Sequence, residues 1–331
     1  MSRLIFIVAL CIQAANADPV KVIFDTDMGN DVDDALALAM LHSFENRAES
    51  ELLAITITKD HVEVPPYIDA INTFYGRGEI PLGTTSSGVT PQQSRFTGII
   101  HEKIGDNPVF PHDLLVGDPV QEAASLLRQT LSSQADQSVV IIQVGFSTNL
   151  ARLLATGPDE HSELSGRDLV TRKVKFISIM AGAFAEISGE THLEYNVVQD
   201  IASAQILARE WPTKIIWSGF EVGLAIRYPA ASIENDFLYK ERHPIRESYQ
   251  LYIPTPHERP TWDLTSVVYG IRPDHEYFEL SPPGIVSVLD DGETVFNPDQ
   301  NGQHYFLKAD DDRIPRIKEL MTLLVSAPPQ P

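Results

Sequence analysis

Cysteine is all but missing from this chain: Cys11 is the single one in 331 residues. An intrachain disulfide framework and a multi-cysteine metal centre are both excluded. Basic residues are scarce as well. The 25 Lys plus Arg stand against 46 Asp plus Glu, a net charge of −21. Binding nucleic acid through its phosphates needs clustered Lys and Arg, so no nucleic-acid partner is expected. An anionic membrane surface would repel the chain. No run reaches the roughly 20 apolar residues that span a bilayer, so no membrane partner is expected either. What is present is a normal share of core material. With 43% apolar and 21% charged residues, the chain is no disordered acidic tail. Its length suits one large α/β domain.

The N-terminus reads as a secretion signal. Arg3 supplies the basic start, Leu4 to Ile12 a short apolar run, and Ala15-Asn16-Ala17 a small-residue cleavage site before Asp18. Residues 1–17 are therefore expected to be a leader and 18–331 the mature domain. The compartment is secreted or periplasmic after cleavage near Ala17. Cys11 lies inside the leader, so the mature chain is expected to be thiol-free.

Beyond the leader, apolar runs alternate with helical patterns. Val20–Phe24, Leu52–Ile57, Val139–Val144, Val174–Met180 and Lys214–Trp217 read as strands. Ala35–Leu41, Gln121–Leu131, Thr148–Leu154, Ile201–Trp211, Thr265–Ile271 and Ile314–Val325 read as helices. Strands alternating with helices predict an α/β fold: a single open, mostly parallel Rossmann-like sheet flanked by helices. Gly83–Pro111 and Arg227–Pro260 read as long loops or insertions. Ligands of such sheets bind beyond the carboxyl ends of the strands. The chemistry should follow Phe24, Ile57, Val144 and Met180.

Five aspartates crowd one stretch, Asp25-Thr26-Asp27-Met28-Gly29-Asn30-Asp31-Val32-Asp33-Asp34-Ala35. Their repulsion is costly unless a cation, protonation or water relieves it. Carboxylate oxygens suit Ca²⁺ or Mg²⁺. Helix capping accounts for Asp33 or Asp34, but not for Asp25 and Asp27 at the end of a buried strand. An EF-hand fails on spacing, with Gly29 fifth from Asp25 and Leu36 where the bidentate Glu belongs.

This loop resembles the D-T-D-x-G-x-D-D-A signature of the nucleoside hydrolases, the calcium-dependent N-ribohydrolases related to inosine–uridine hydrolases, with two extra residues before Asp33. The resemblance implies Asp27 and Asp34 as Ca²⁺ ligands and the aspartate before the second ligand, Asp33, as general base. Asp31, which keeps the family's spacing from Asp27, is the alternative. Gln143-Val144-Gly145-Phe146-Ser147-Thr148-Asn149-Leu150 is similar to the family's strand-to-helix turn, whose carbonyl before the glycine holds the metal; here that is Val144. Met180-Ala181-Gly182 with Glu194-Tyr195-Asn196 resembles M-G-G and E-F-N, implying that Glu194 and Asn196 hold ribose hydroxyls. Trp262-Asp263-Leu264 resembles the late H-D-P segment. It implies Asp263 as the last metal ligand, with Trp262 in place of a His that protonates the leaving base. Lys59-Asp60 falls where the family has G-N, so Asp60 would contact the ribose, as an acceptor only.

Together these imply calcium-dependent release of the base from a small-molecule ribonucleoside. Activated water attacks, a carboxylate takes its proton, and carboxylates stabilise an oxocarbenium-like sugar. The resemblance further implies a homo-oligomer, dimer or tetramer. Two other readings of the residues stay open. One is a secreted, Ca²⁺-stabilised nucleoside- or sugar-binding protein. The other is a Mg²⁺-dependent phosphatase with an Asp nucleophile after the first strand, against which Gly29 replaces the required threonine.

Overall fold

The computed structural model describes residues 18–330, so the leader read at 1–17 lies outside the described residues. The main sheet has eleven strands. Its central strand, Val20–Thr26, pairs in parallel with Ser50–Lys59 on one side and Val139–Gln143 on the other. Beyond Ser50–Lys59 come Leu82–Val89 and the two-residue strand Gln121–Glu122, both parallel. On the other side follow Val174–Met180, Lys214–Ser218 and His304–Lys308, again parallel.

Alternation along these strands splits the core into two layers. Val22, Phe24, Val140 and Ile142 join one apolar cluster, while Ile23, Val139 and Ile141 join the other. Side chains of a strand point alternately to opposite faces, so both faces of the sheet are covered. This is why the central strands read as unbroken apolar runs. The first helix, Asp33–Asn46, is apolar almost all round, and every residue from Ala35 to Leu41 is fully buried. Such a helix cannot sit at a surface. It packs under the helices Trp262–Ile271 and Arg313–Val325.

Three parts of the fold depart from the sequence reading. The stretch Gly83–Pro111 is not all loop: Leu82–Val89 is a strand, and its Gly, Ser and Thr residues gave no apolar run to mark it. Arg227–Pro260 holds the helices Ala230–Asn235 and Pro244–Tyr252. Past Ile271 the sheet ends in antiparallel pairing, Gly284–Val288 against both Thr294–Pro298 and His304–Lys308. The mostly parallel α/β sheet therefore carries an antiparallel edge. Among the described residues, no helix is long and apolar enough to cross a membrane.

The chain order places the site. The path runs outward from Val20–Thr26 through Ser50–Lys59 to Leu82–Val89, then returns to lay Val139–Gln143 against the other side of Val20–Thr26. The crevice beyond the carboxyl ends of Val20–Thr26 and Val139–Gln143 is thus a topological switch point, where such sheets bind ligands.

Candidate active site

A cavity of about 550 Å³ opens at that switch point. The acidic loop forms its floor. At the strand end, Asp25 turns inward and is fully buried. Its Oδ1 accepts from Thr56 Oγ1 at 2.5 Å and from Asn149 Nδ2 at 2.8 Å. Asp25 thereby ties the central strand to the next strand and to the helix Thr148–Ala155. It does not line the cavity, and burial pushes its carboxyl up to about 7. A phosphatase nucleophile must reach its substrate, so the Asp-nucleophile reading loses its key residue.

The backbone then turns at Gly29, whose φ of +104° suits glycine. A Cβ there would stand 3.2 Å from the Lys59 side chain. Lys59 is buried and donates to Asn30 Oδ1 at 2.8 Å and to the Thr90 carbonyl at 2.6 Å. Asn30 in turn donates to Asp27 Oδ2 at 2.8 Å. The first helix begins at Asp33 without a side-chain cap, so Asp33 and Asp34 stand in its first turn, where the helix dipole favours negative charge.

Asp33, Asp34 and Asp263 converge: one carboxylate oxygen from each lies within 4.8 Å of the other two. Asp263 arrives from a different element, the first turn of the helix Trp262–Ile271. That helix is fixed by the buried Leu264, Val267 and Val268, each contributing about 1.5–3 kcal/mol. Asp33 Oδ2 accepts from the Asp263 backbone N–H at 3.2 Å. Thr26 Oγ1 donates to Asp34 Oδ1, while Asp34 Oδ2 is buried with no hydrogen-bond partner. Burial, reinforced by the neighbouring carboxylates, holds the carboxyls of Asp27, Asp33, Asp34 and Asp263 well above the ordinary range. Two cations approach this group, Lys59 and Arg259. They cannot balance so many buried carboxylates, and an orphaned buried oxygen is costly. The donor set therefore fits a hard divalent cation.

The other residues expected from the sequence fall unevenly. Val144, Glu194, Asn196 and Trp262 line the cavity with Asp27, Asp31, Asp33, Asp34 and Asp263. The Val144 carbonyl accepts from Asn196 Nδ2 at 2.8 Å. Glu194 caps the helix Tyr195–Gln199, accepting from the backbone N–H of Gly182, Asn196 and Val197. Burial pushes its carboxyl up to about 7. Asp60 stands apart: it does not line the cavity, and its carboxylate accepts from the Gly88 backbone N–H at 3.1 Å. Asp31 lines the cavity, but the Arg259 guanidinium binds both its oxygens.

Aromatic side chains line the same cavity: Trp262, Phe220, Tyr252 and His192. The Trp262 and Phe220 rings stack at 5.1 Å, and Trp262 Nε1 donates to the Phe220 carbonyl at 3.0 Å. His192 lies 3.7 Å from Phe220. The Arg259 guanidinium sits 4.9 Å from the Trp262 ring centre and 5.1 Å from that of Tyr252. Sequence reasoning gave no role to Arg259, Tyr252, Phe220 or Lys59. A lone Arg three residues before Trp262 carries no motif, and only the fold shows that it meets Asp31.

An acidic floor suits sugar hydroxyls and a cation, and an aromatic wall suits a planar group. Residues 22–316 match the family described as inosine-uridine preferring nucleoside hydrolase. The chain belongs to that family. Among curated relatives of the chain are the pyrimidine-specific ribonucleoside hydrolases RihA of Salmonella paratyphi B and Shewanella baltica. Both are 27% identical, the first over 64% of each chain, the second over 56% of this chain and 54% of the relative. The chain thus spans less than two thirds of the length of these relatives. Solved structures agree on the fold. A purine-preferring ribonucleoside hydrolase from Gardnerella vaginalis superposes with a TM-score of 0.70 at 19% identity, covering 92% of this chain and 98% of that one. A plant nucleoside hydrolase, PpNRh1, gives 0.67 at 21% identity, covering 94% and 100%.

Proposed function

We propose that this nucleoside hydrolase cleaves the N-glycosidic bond of ribonucleosides with the help of a bound Ca²⁺. The observation that carries the reading is the convergence of Asp33, Asp34 and Asp263 in a cavity that Trp262, Phe220 and Tyr252 also line. Asp34 and Asp263 would hold the cation, and Asp33, which meets both, would join them. The Val144 carbonyl is the backbone oxygen at hand. When bound, such a cation lowers the pKa of a water and offers positions to sugar hydroxyls.

The remaining roles belong to the chain's own side chains. Asp31 is committed to Arg259, which leaves it poorly placed to take a proton. Asp27 lines the cavity outside the converging trio, and its Oδ2 takes the Asn30 amide. The proton of the attacking water goes to Asp27, with Asp33 serving as ligand. This exchanges the roles that the sequence resemblance implies for the two residues. Asn196 and Glu194 border the sugar, and the surrounding carboxylates favour the positive charge that develops on it. Trp262 and Phe220 give the base its wall.

Export is part of the proposal, supported by the leader-like sequence of residues 1–17, and N-terminal sequencing of the mature protein from its native host would check cleavage after Ala17. The deciding experiment for the activity is release of free base and ribose from a panel of purine and pyrimidine ribonucleosides, with and without a chelator. Chelator-sensitive release supports the reading. Saturable nucleoside binding without release would favour the non-catalytic binder instead.

A further inference from the structure

Arg259 is held more firmly than a surface arginine. Nε and Nη2 fork onto the two oxygens of Asp31, the bidentate geometry a guanidinium favours. Asp31 is itself anchored, its Oδ1 accepting from the Val32 backbone N–H at 2.6 Å. The Arg259 backbone N–H donates to Tyr249 Oη at 2.8 Å. Tyr252 and Trp262 flank the guanidinium at cation–π distances. Only 19% of the side chain is exposed, and the residue lines the cavity. Among the described residues, Nη1 makes no hydrogen bond, so two N–H donors remain free. The neighbouring indole cannot serve in their place, because Trp262 Nε1 is spent on the Phe220 carbonyl.

We propose that Arg259 receives the departing base. Its Nη1 hydrogens bond acceptor atoms of the purine or pyrimidine and stabilise the negative charge that grows there as the bond breaks. This rests on the N-ribohydrolase reading above. In the step, the C1′–N bond breaks and its electron pair goes to the base. The oxygen of water forms the new bond to C1′, one of its protons goes to Asp27, and the other stays on the new C1′ hydroxyl. The base takes its proton from solvent, and the guanidinium keeps all of its own. Asp31 acts through Arg259: it is a positioning residue that fixes the fork and leaves Nη1 unbonded.

The test compares leaving groups on the Ca²⁺-loaded enzyme. Inosine and uridine need help to depart, whereas p-nitrophenyl β-D-ribofuranoside carries a phenolate that leaves unaided. Arg259→Gln is expected to lower kcat on the nucleosides by about 10²–10³, the usual cost of one lost electrostatic donor, and on the nitrophenyl riboside by less than about tenfold. Exogenous guanidinium should restore part of the nucleoside rate in Arg259→Ala. Where the single variants fold poorly because Asp31 is left unpaired, Asp31→Asn with Arg259→Gln removes that charge and should show the same selectivity. An equal loss on both substrates, or a change in KM alone, overturns the proposal while leaving the hydrolase intact. A wild-type enzyme that releases neither base nor nitrophenol overturns the hydrolase reading itself.

Discussion

Asn196 donates its side-chain amide to the Val144 carbonyl at 2.8 Å. One residue stands where a sugar contact is expected and the other where a metal ligand is expected, and each fixes the other. The same amide reaches the Met180 carbonyl at 3.2 Å. It therefore bridges the ends of two neighbouring strands, Val139–Gln143 and Val174–Met180. Asn196→Leu strips both carbonyls of this donor in a buried place. A loss of about 1–3 kcal/mol in folding stability is expected, the cost of stranding buried polar groups. Denaturant unfolding would measure it, and an unchanged midpoint would show that the bridge is dispensable.

The acidic floor makes a paradoxical prediction. Asp34 carries an orphaned buried oxygen, and its neighbours repel it. Asp34→Asn should therefore raise the melting temperature of the chelated protein. The same variant should abolish the rise in melting temperature that Ca²⁺ gives the wild type, about 2.7 kcal/mol of stabilisation at a hundredfold excess over Kd. Paired melting curves, chelated and Ca²⁺-loaded, decide it. A variant that still gains stability from Ca²⁺ would remove Asp34 from the ligand set.

Asp27 and Asp33 can be separated by the same pairing of measurements. Asp27→Asn should retain Ca²⁺ binding by calorimetry but lose about 10²–10⁴ in kcat, the range for a general base. Asp33→Asn should lose Ca²⁺ binding first. If the two phenotypes were exchanged, the roles implied by the sequence resemblance would be restored.

The pH dependence follows from Asp25. Burial raises its carboxyl from the ordinary 3.8 to about 7, against the pull of the Thr56 and Asn149 hydrogen bonds. The folded state therefore holds this proton at pH values where the unfolded chain has released it. The associated stability is complete below 3.8 and is lost as pH rises through about 7. Asp25→Asn keeps the carbonyl acceptor for Thr56 and Asn149 and cannot ionise. The difference in melting temperature between variant and wild type, both chelated, should grow in the variant's favour between about pH 4 and pH 8. A difference that stays flat would mean that Asp25 titrates normally.

How much of this was legible beforehand depends on the kind of signal. The parallel strands were legible because burial on both faces leaves apolar runs such as residues 139–142. Only part of the metal-type cluster was legible: the likeness to family segments pointed to Asp34 and Asp263 but gave Asp33 another role and included Asp27, which stands outside the trio, because spacing in a loop does not say which carboxylates turn toward one another. Leu82–Val89 was not, since its pairing is made by backbone and its side chains are small and polar. Arg259 was not either, because its meaning lies in a contact with Asp31 across 228 residues of chain. Asp60 shows the reverse limit: its position after the second strand was right for a ligand contact, but the turn points its carboxylate to Gly88.

Gly145 offers a structural test of the switch point itself. The Val144 and Gly145 backbone N–H groups both donate to the Asp25 carbonyl, at 2.7 and 3.2 Å. This draws the turn after Val139–Gln143 onto the end of Val20–Thr26. A Cβ on Gly145 would stand 2.5 Å from the Asp27 backbone nitrogen and 2.5 Å from Thr58 Oγ1. Neither a strand end nor a buried hydroxyl bonded to its neighbour can yield that much, so Asp27 would have to move. Gly145→Ala is expected to cost about 1–3 kcal/mol, as overpacking does. It should also lower kcat, because a carboxylate displaced by about 1 Å no longer meets its proton; such misplacement costs about 10²-fold. Gly157→Ala is the control, since nothing lies within 4 Å of a Cβ at that position. Denaturation midpoints and turnover of the two variants, measured side by side, carry the comparison. If Gly145→Ala matched Gly157→Ala in both, the close approach of the two strand ends would not be what positions Asp27.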